Sequence, residues 1–246
     1  MVAPPSFATL RVSVDGTVGT IELARPDRLN PLGTTALREL ADAAAFLDGT
    51  DASVVVVRGA GRAFSAGFDL RELEHPEPDP AGRSTAEVGA AMAEAVASMR
   101  AVTVARIQGP CVGGGLVLAL CCDLRVAADD AWCSLPETEL AIPLAWSGVP
   151  RLVREIGPSR ALDLVLTARR VPAAEALALG LVNRVVAPDE LDGAVDELVA
   201  VLAARRPDVV ATTKAQVSQA ADALVPTDGT WAGTELLEAA LRRLVG

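Results

Sequence analysis

The chain has 246 residues, 51% of them hydrophobic and 22% charged, which suits one large domain with a substantial core, or one domain with a small appendage. A formal net charge of −10 argues against nucleic acid or an anionic membrane surface as a partner. No apolar run approaches the length needed to span a bilayer, and MVAPPSFATL has neither the basic nor the apolar segment of a secretion signal, so a cytoplasmic protein is expected.

Leu10–Val14 and Val18–Leu23 alternate around Asp15-Gly16 and predict a β-hairpin. RPDRLNPL (Arg25–Leu32) is a proline-bounded loop, and Thr34–Leu47 has helical spacing, with Thr34 or Thr35 as its N-cap. SVVVVR (Ser53–Arg58) is a continuous β-branched run, expected of a strand buried on both faces. A glycine-rich loop follows to Gly67, then one or two helical turns over Asp69–Glu74 and a proline-rich loop over His75–Gly82. Thr85–Met99 predicts an amphipathic helix and Thr103–Ile107 a second buried strand. Gly113, Gly114 and Gly115 then open an apolar helix running to Cys121 or Cys122. Strands are expected at Leu124–Ala127, Ala131–Ser134 and Arg184–Val186, with loop over Pro136–Pro150. Helices are expected at Arg151–Ile156, Ser159–Leu166, Ala173–Leu179, Leu191–Ala204, Asp208–Leu224 and Thr230–Leu244. Strands alternating with helices up to about residue 135 imply a mainly parallel sheet covered by helices.

Cys111, Cys121, Cys122 and Cys133 lack zinc spacing and read as small buried hydrophobes; no metal site is expected. His75, the one histidine, lies in the proline-rich loop, so a Ser-His-Asp or Cys-His mechanism is not expected. The loop RAFSAGFDL and the GGG corner both leave the carboxyl ends of parallel strands, where sites of α/β sheets form. Each loop can offer a backbone N–H to the same oxygen, and two such donors make an oxyanion hole.

Five strings carry a resemblance over nearly the whole chain: RPDRLNPL, RAFSAGFDLREL, QGPCVGGGLVLALCCDLRVAA, LPETELAIP and AAEALALGLVNRVV. In this order and spacing the chain resembles the crotonase (enoyl-CoA hydratase/isomerase) superfamily. The resemblance implies an α/β crotonase-like (ClpP/crotonase) spiral of ββα units with a C-terminal helical region. Residues 1–190 would be the acyl-CoA-binding core and 191–246 a helical region used for trimerisation, giving a homotrimer or a hexamer built as a dimer of trimers. It implies an acyl-CoA thioester substrate, with coenzyme A as part of that substrate and no permanently bound cofactor.

The family's oxyanion donors match the N–H groups of Phe68 and Gly114. Asp27, Arg28 and Leu29 match the loop that lines coenzyme A, and Ala66, Asp69 and Leu70 match positions beside the nucleotide and thioester. Arg25, Arg28 and Lys214 are the candidates for neutralising its phosphates. Family hydratases carry two glutamates. One position is occupied here by Val117, which cannot move a proton; the other matches Glu137. A single carboxylate suits a 1,3-proton shift, and the family's Δ3,Δ2-enoyl-CoA isomerases resemble this chain in ETELAIP. The expectation is an isomerase using Glu137. The alternatives are hydration of a 2-enoyl-CoA despite Val117, and a non-catalytic acyl-CoA-binding protein. Glu139 is expected either beside Glu137 or in solvent, and Trp146 either in the acyl pocket or in the core.

Overall fold

The computed structural model describes residues 4–227 and 233–245. The predicted hairpin is β1 (Leu10–Asp15) and β2 (Val18–Leu23), followed by a 3-10 turn at Pro26–Arg28 and helix α1 (Thr34–Asp48). Then come β3 (Val54–Gly59), a 3-10 turn at Leu70–Leu73, α2 (Thr85–Ala97), β4 (Val102–Ile107), β5 (Pro110–Val112) and α3 (Gly114–Cys121). β6 (Leu124–Ala128) and β7 (Trp132–Ser134) lead into a 3-10 turn at Pro136–Thr138. The remainder is α4 (Gly148–Ile156), α5 (Pro158–Thr167), β8 (Val171–Pro172), α6 (Ala173–Leu179), β9 (Arg184–Val186), α7 (Leu191–Ala203), α8 (Pro207–Leu224) and α9 (Gly233–Val245). The first residues of the helix expected over Thr230–Leu244 lie outside the described residues.

Two sheets form. The large one has the order β1-β2-β3-β4-β6-β9, antiparallel only between β1 and β2. The small one has the order β5-β7-β8. The chain climbs by repeating one move: a strand in the large sheet, a short strand in the small one, then a helix. β4, β5 and α3 make one such unit; β6, β7 and α4 make another. After β3 the small-sheet strand shrinks to a single bridge, Ser65 with Cys111. This is the ββα spiral that the resemblance implies.

Two apolar clusters flank the large sheet, because its β-branched strands are buried on both faces. One joins alternate residues such as Val55, Val57, Ala105 and Ile107 to α1, α2 and α3. The other joins Val54, Val56, Val104 and Val126 to α7. The first helix of the 191–246 region thus packs on the sheet, whereas α8 has no buried residue. All four cysteines are free and buried, and burial raises the thiol pKa of Cys111, Cys121 and Cys122, as suits inert core residues.

One expectation about capping is corrected. Neither Thr34 nor Thr35 caps α1; Gly33 occupies the N-cap and makes no side-chain bond. The buried Glu72, from the turn after β3, accepts the Thr34 N–H at 2.8 Å and so satisfies one of the free donors at the helix start. By contrast α2 has a local capping box, with Ser84 and Glu87 satisfying each other's backbone donors.

Candidate active site

The site is assembled where the two small-sheet strands β5 and β7 end. β5 runs into Gly113, whose φ is +51°, and α3 starts at Gly114. β7 runs into the 3-10 turn that carries Glu137. The strands are in parallel register, with Val112 opposite Ser134, and the Gly113 N–H donates to the Ser134 carbonyl at 2.9 Å. A Cβ on Gly113 would lie 2.7 Å from Glu137 Oε1, so glycine lets the carboxyl group lie against the backbone that opens α3.

The companion loop is pinned by side chains that reach its carbonyls. Asn30 Nδ2 donates to the carbonyls of Ala60 and Ala63, each at 2.9 Å, and Gln108 Nε2 donates to that of Gly59 at 2.7 Å. Ser65 Oγ donates to the Asn30 carbonyl at 2.8 Å and accepts the Gly67 N–H at 3.1 Å. Gly67 has φ +84°, and a Cβ there would sit 2.5 Å from the Val112 carbonyl and 3.3 Å from the Gly114 nitrogen. That close approach brings Phe68 beside Gly114. Among the described residues, no acceptor takes the N–H of either. Gly114 is also the first residue of α3, where the helix leaves its N–H groups free and adds partial positive charge.

Phe68, Gly114, Val117, Glu137 and Trp146 line one pocket, closed on another side by Leu237 and Leu241 of α9. Its free volume is about 30 Å³, room for roughly one or two water molecules. Trp146, with φ +56°, wedges its ring between α2 and α3: Cβ atoms on Gly89 and Gly114 would each fall within 2.5 Å of it. Trp146 is both core and pocket wall. Val117 is buried against Gly148 and Leu144.

Glu137 is the one ionisable side chain among the described residues lining this pocket. It is 7% exposed, and its Oε2 has no partner. Burial raises its pKa from 4.5 to about 7. Glu139 points to solvent. The neutral Glu137 acid is favoured in the folded state below pH 4.5, and that advantage is lost as pH rises through about 7. At roughly 1.4 kcal/mol per pKa unit, ionisation costs on the order of 3 kcal/mol of stability by pH 8. Glu137→Gln is therefore expected to resist denaturant better than the wild type at pH 8, with the gap narrowing at pH 5. Equal stability at pH 8 would show that the carboxylate is well solvated.

The structure brings together the residues expected around coenzyme A, with one exception. The Ala66 N–H donates to the Leu29 carbonyl and the Leu32 N–H to the Gly67 carbonyl, both at 2.8 Å. Asp69, 4% exposed, is ringed by Arg25, Arg28 and Arg71 at 3.8, 3.0 and 3.0 Å. Asp27 and Leu70 are exposed at the same edge. The exception is Lys214. Its amine ion-pairs with Asp123 at 2.7 Å and donates to the Ala101 carbonyl at 2.9 Å, so α8 holds it away from these residues. Arg71, Asn30 and Glu72 carry no signal in the sequence that marks them for the site. Asn30 combines a polar side chain with φ +54°, and both features answer to loop partners distant in the chain.

A family model described as enoyl-CoA hydratase/isomerase matches residues 13–239. A probable enoyl-CoA hydratase of Rhizobium meliloti is 40% identical over 188 residues, covering 76% of this chain and 72% of its own. The peroxisomal Delta(3,5)-Delta(2,4)-dienoyl-CoA isomerase of Arabidopsis thaliana is 33% identical over 226 residues, covering 85% and 81%. The crystal structure of a probable enoyl-CoA hydratase from Mycobacterium thermoresistibile superposes with a TM-score of 0.84 at 28% identity, over 96% of this chain and 97% of that one. Fold and sequence agree: the chain belongs to the enoyl-CoA hydratase/isomerase family of the crotonase superfamily.

Proposed function

We propose that this protein moves the double bond of an enoyl-CoA thioester from C3 to C2, with Glu137 as its single acid–base group. The observation that carries this reading is the pairing of one buried, partnerless carboxyl with two free backbone donors, while Val117 lines the same pocket. The thioester oxygen accepts the N–H groups of Phe68 and Gly114. The Glu137 carboxylate takes a proton from C2, and the negative charge moves onto the oxygen facing those donors. The protonated Glu137 then returns the proton to C4, and the double bond closes between C2 and C3. A carboxyl group poised near pH 7 suits both halves. Asp27, Arg28, Leu29, Ala66, Asp69 and Leu70 form the edge on which coenzyme A would lie. Homotrimeric or hexameric assembly and a cytoplasmic location belong to the same reading.

The test uses two substrates in separate cuvettes. A 3-enoyl-CoA should gain the ultraviolet absorbance of a conjugated thioester. The names of several relatives favour hydration instead; in that case a 2-enoyl-CoA loses its conjugation and the 3-enoyl-CoA gains none. Binding of acyl-CoA with neither signal would leave a non-catalytic binder.

A further inference from the structure

Thr85, the first residue of α2, also lines the pocket of Glu137 and the two oxyanion donors. Its Oγ1 lies 2.8 Å from Thr34 Oγ1. Thr34 Oγ1 in turn donates to Glu72 Oε2 at 2.6 Å. Glu72 is 6% exposed and Thr34 1%. Two hydroxyls therefore connect a second buried carboxyl group to the pocket that lacks a carboxylate at position 117.

A hydroxyl has one proton to donate and lone pairs to accept with, so the carboxyl at the end of such a chain sets the direction of every bond in it. With Glu72 ionised, Thr34 donates to Glu72, Thr85 donates to Thr34, and Thr85 shows the pocket only lone pairs. With Glu72 protonated, each bond can reverse, and the Thr85 O–H is free to point into the pocket. No heavy atom has to move.

We propose that Thr85 is a second proton-carrying group of the active site, supplied by Glu72 through Thr34. The enolate carbon takes the Thr85 proton and forms a C–H bond as the thioester carbonyl is restored. Thr85 takes the Thr34 proton, Thr34 takes that of Glu72, and Glu72 is left as a carboxylate. This return of a proton to C2 competes with delivery to C4 by Glu137, which in this branch keeps the proton it removed. After product leaves, Glu137 yields that proton to water and Glu72 regains one from water along the same hydroxyls. Burial raises the pKa of Glu72, the Thr34 hydrogen bonds lower it, and the Glu77 and Asp69 carboxylates add to the rise. Arg25, Arg28 and Arg71 in turn surround Asp69.

The proposal rests on enolate formation at this site, so its test reads enolate formation directly. The protein is incubated with butanoyl-CoA in D2O and deuterium uptake at C2 is followed by mass spectrometry. Thr85→Val should slow uptake roughly 10-fold or more, and Thr85→Ser, which keeps the hydroxyl, should recover most of it. Glu72→Gln can still accept the Thr34 N–H but has no acid proton to deliver, so it should match Thr85→Val. The double variant should be no slower than either single one, since both break one path. Uptake unchanged in Thr85→Val, or equally slow in Thr85→Ser, overturns the relay. If Glu137→Gln abolishes uptake and Thr85→Val does not, only the relay falls. If the wild type takes up no deuterium, the enolate reading falls and the relay with it.

Discussion

Glu137→Gln is expected to slow the double-bond shift by roughly 10²–10⁴-fold, the usual contribution of one positioned acid–base group. Glutamine has nearly the same shape, and the unpartnered Oε2 loses no hydrogen bond on replacement. Acyl-CoA binding should therefore persist while kcat falls. In the wild type the base must be ionised, so kcat/KM should climb with pH and level off above about 7. The variant's residual rate should lack that step. An unchanged isomerisation rate in Glu137→Gln would remove this carboxyl from the mechanism. Together with the expected gain in stability at pH 8, the result would show that the site holds this carboxylate at a cost to the fold.

Gly114→Ala is expected to lower the rate by about 10²–10³-fold, the scale of losing one oxyanion-hole donor. The new methyl group would be built 2.3 Å from Trp146 Cζ3, closer than carbon atoms approach. Trp146 cannot yield freely, because its other edge abuts Gly89. The first turn of α3 must shift, and the Gly114 N–H shifts with it. Such overpacking also destabilises, typically by about 1–3 kcal/mol. A second substitution separates the two causes. Trp146→Leu removes the obstructing ring, so the pair Gly114→Ala with Trp146→Leu should be faster and more stable than Gly114→Ala alone. Strict additivity of the two losses would show that the ring is not what the added methyl group meets.

Much of this fold was legible because its signals are local. The β-branched run at Val54–Val57, the turn at Asp15-Gly16 and the glycine corner each state their conformation within a few residues. The oxyanion loop could be placed by topology, since it leaves the carboxyl end of a parallel strand. β7 and β9 were read from their own residues, but β5 and β8 were not legible. β5 has three residues, begins with proline and is held by partners distant in the chain, β7 on one side and Ser65 on the other. β8 has two. The start of α4 at Gly148 was hidden by Gly148 and Pro150, which ordinarily read as loop. Within the site, Glu137 and Val117 could be read through the resemblance. The Glu72–Thr34–Thr85 chain could not, because its members are separated by 38 and 51 residues. Lys214 misled for a related reason: a lone lysine attracts attention as a free charge, and only the folded chain reveals Asp123 beside it.

The register of β5 against β7 has a consequence for how this pocket can change over generations. The spacing between hole and carboxyl is held by main-chain bonds, above all the Gly113 N–H on the Ser134 carbonyl. Main-chain bonds are indifferent to most side-chain replacements. Thr85, Val117 and Trp146 line the pocket yet stand outside the paired residues of that ladder. Mutation can rewrite them without disturbing the main-chain bonds that hold Gly114 beside Glu137. The small sheet thus works as a fixed chassis, and the chemistry is a replaceable fitting mounted on it.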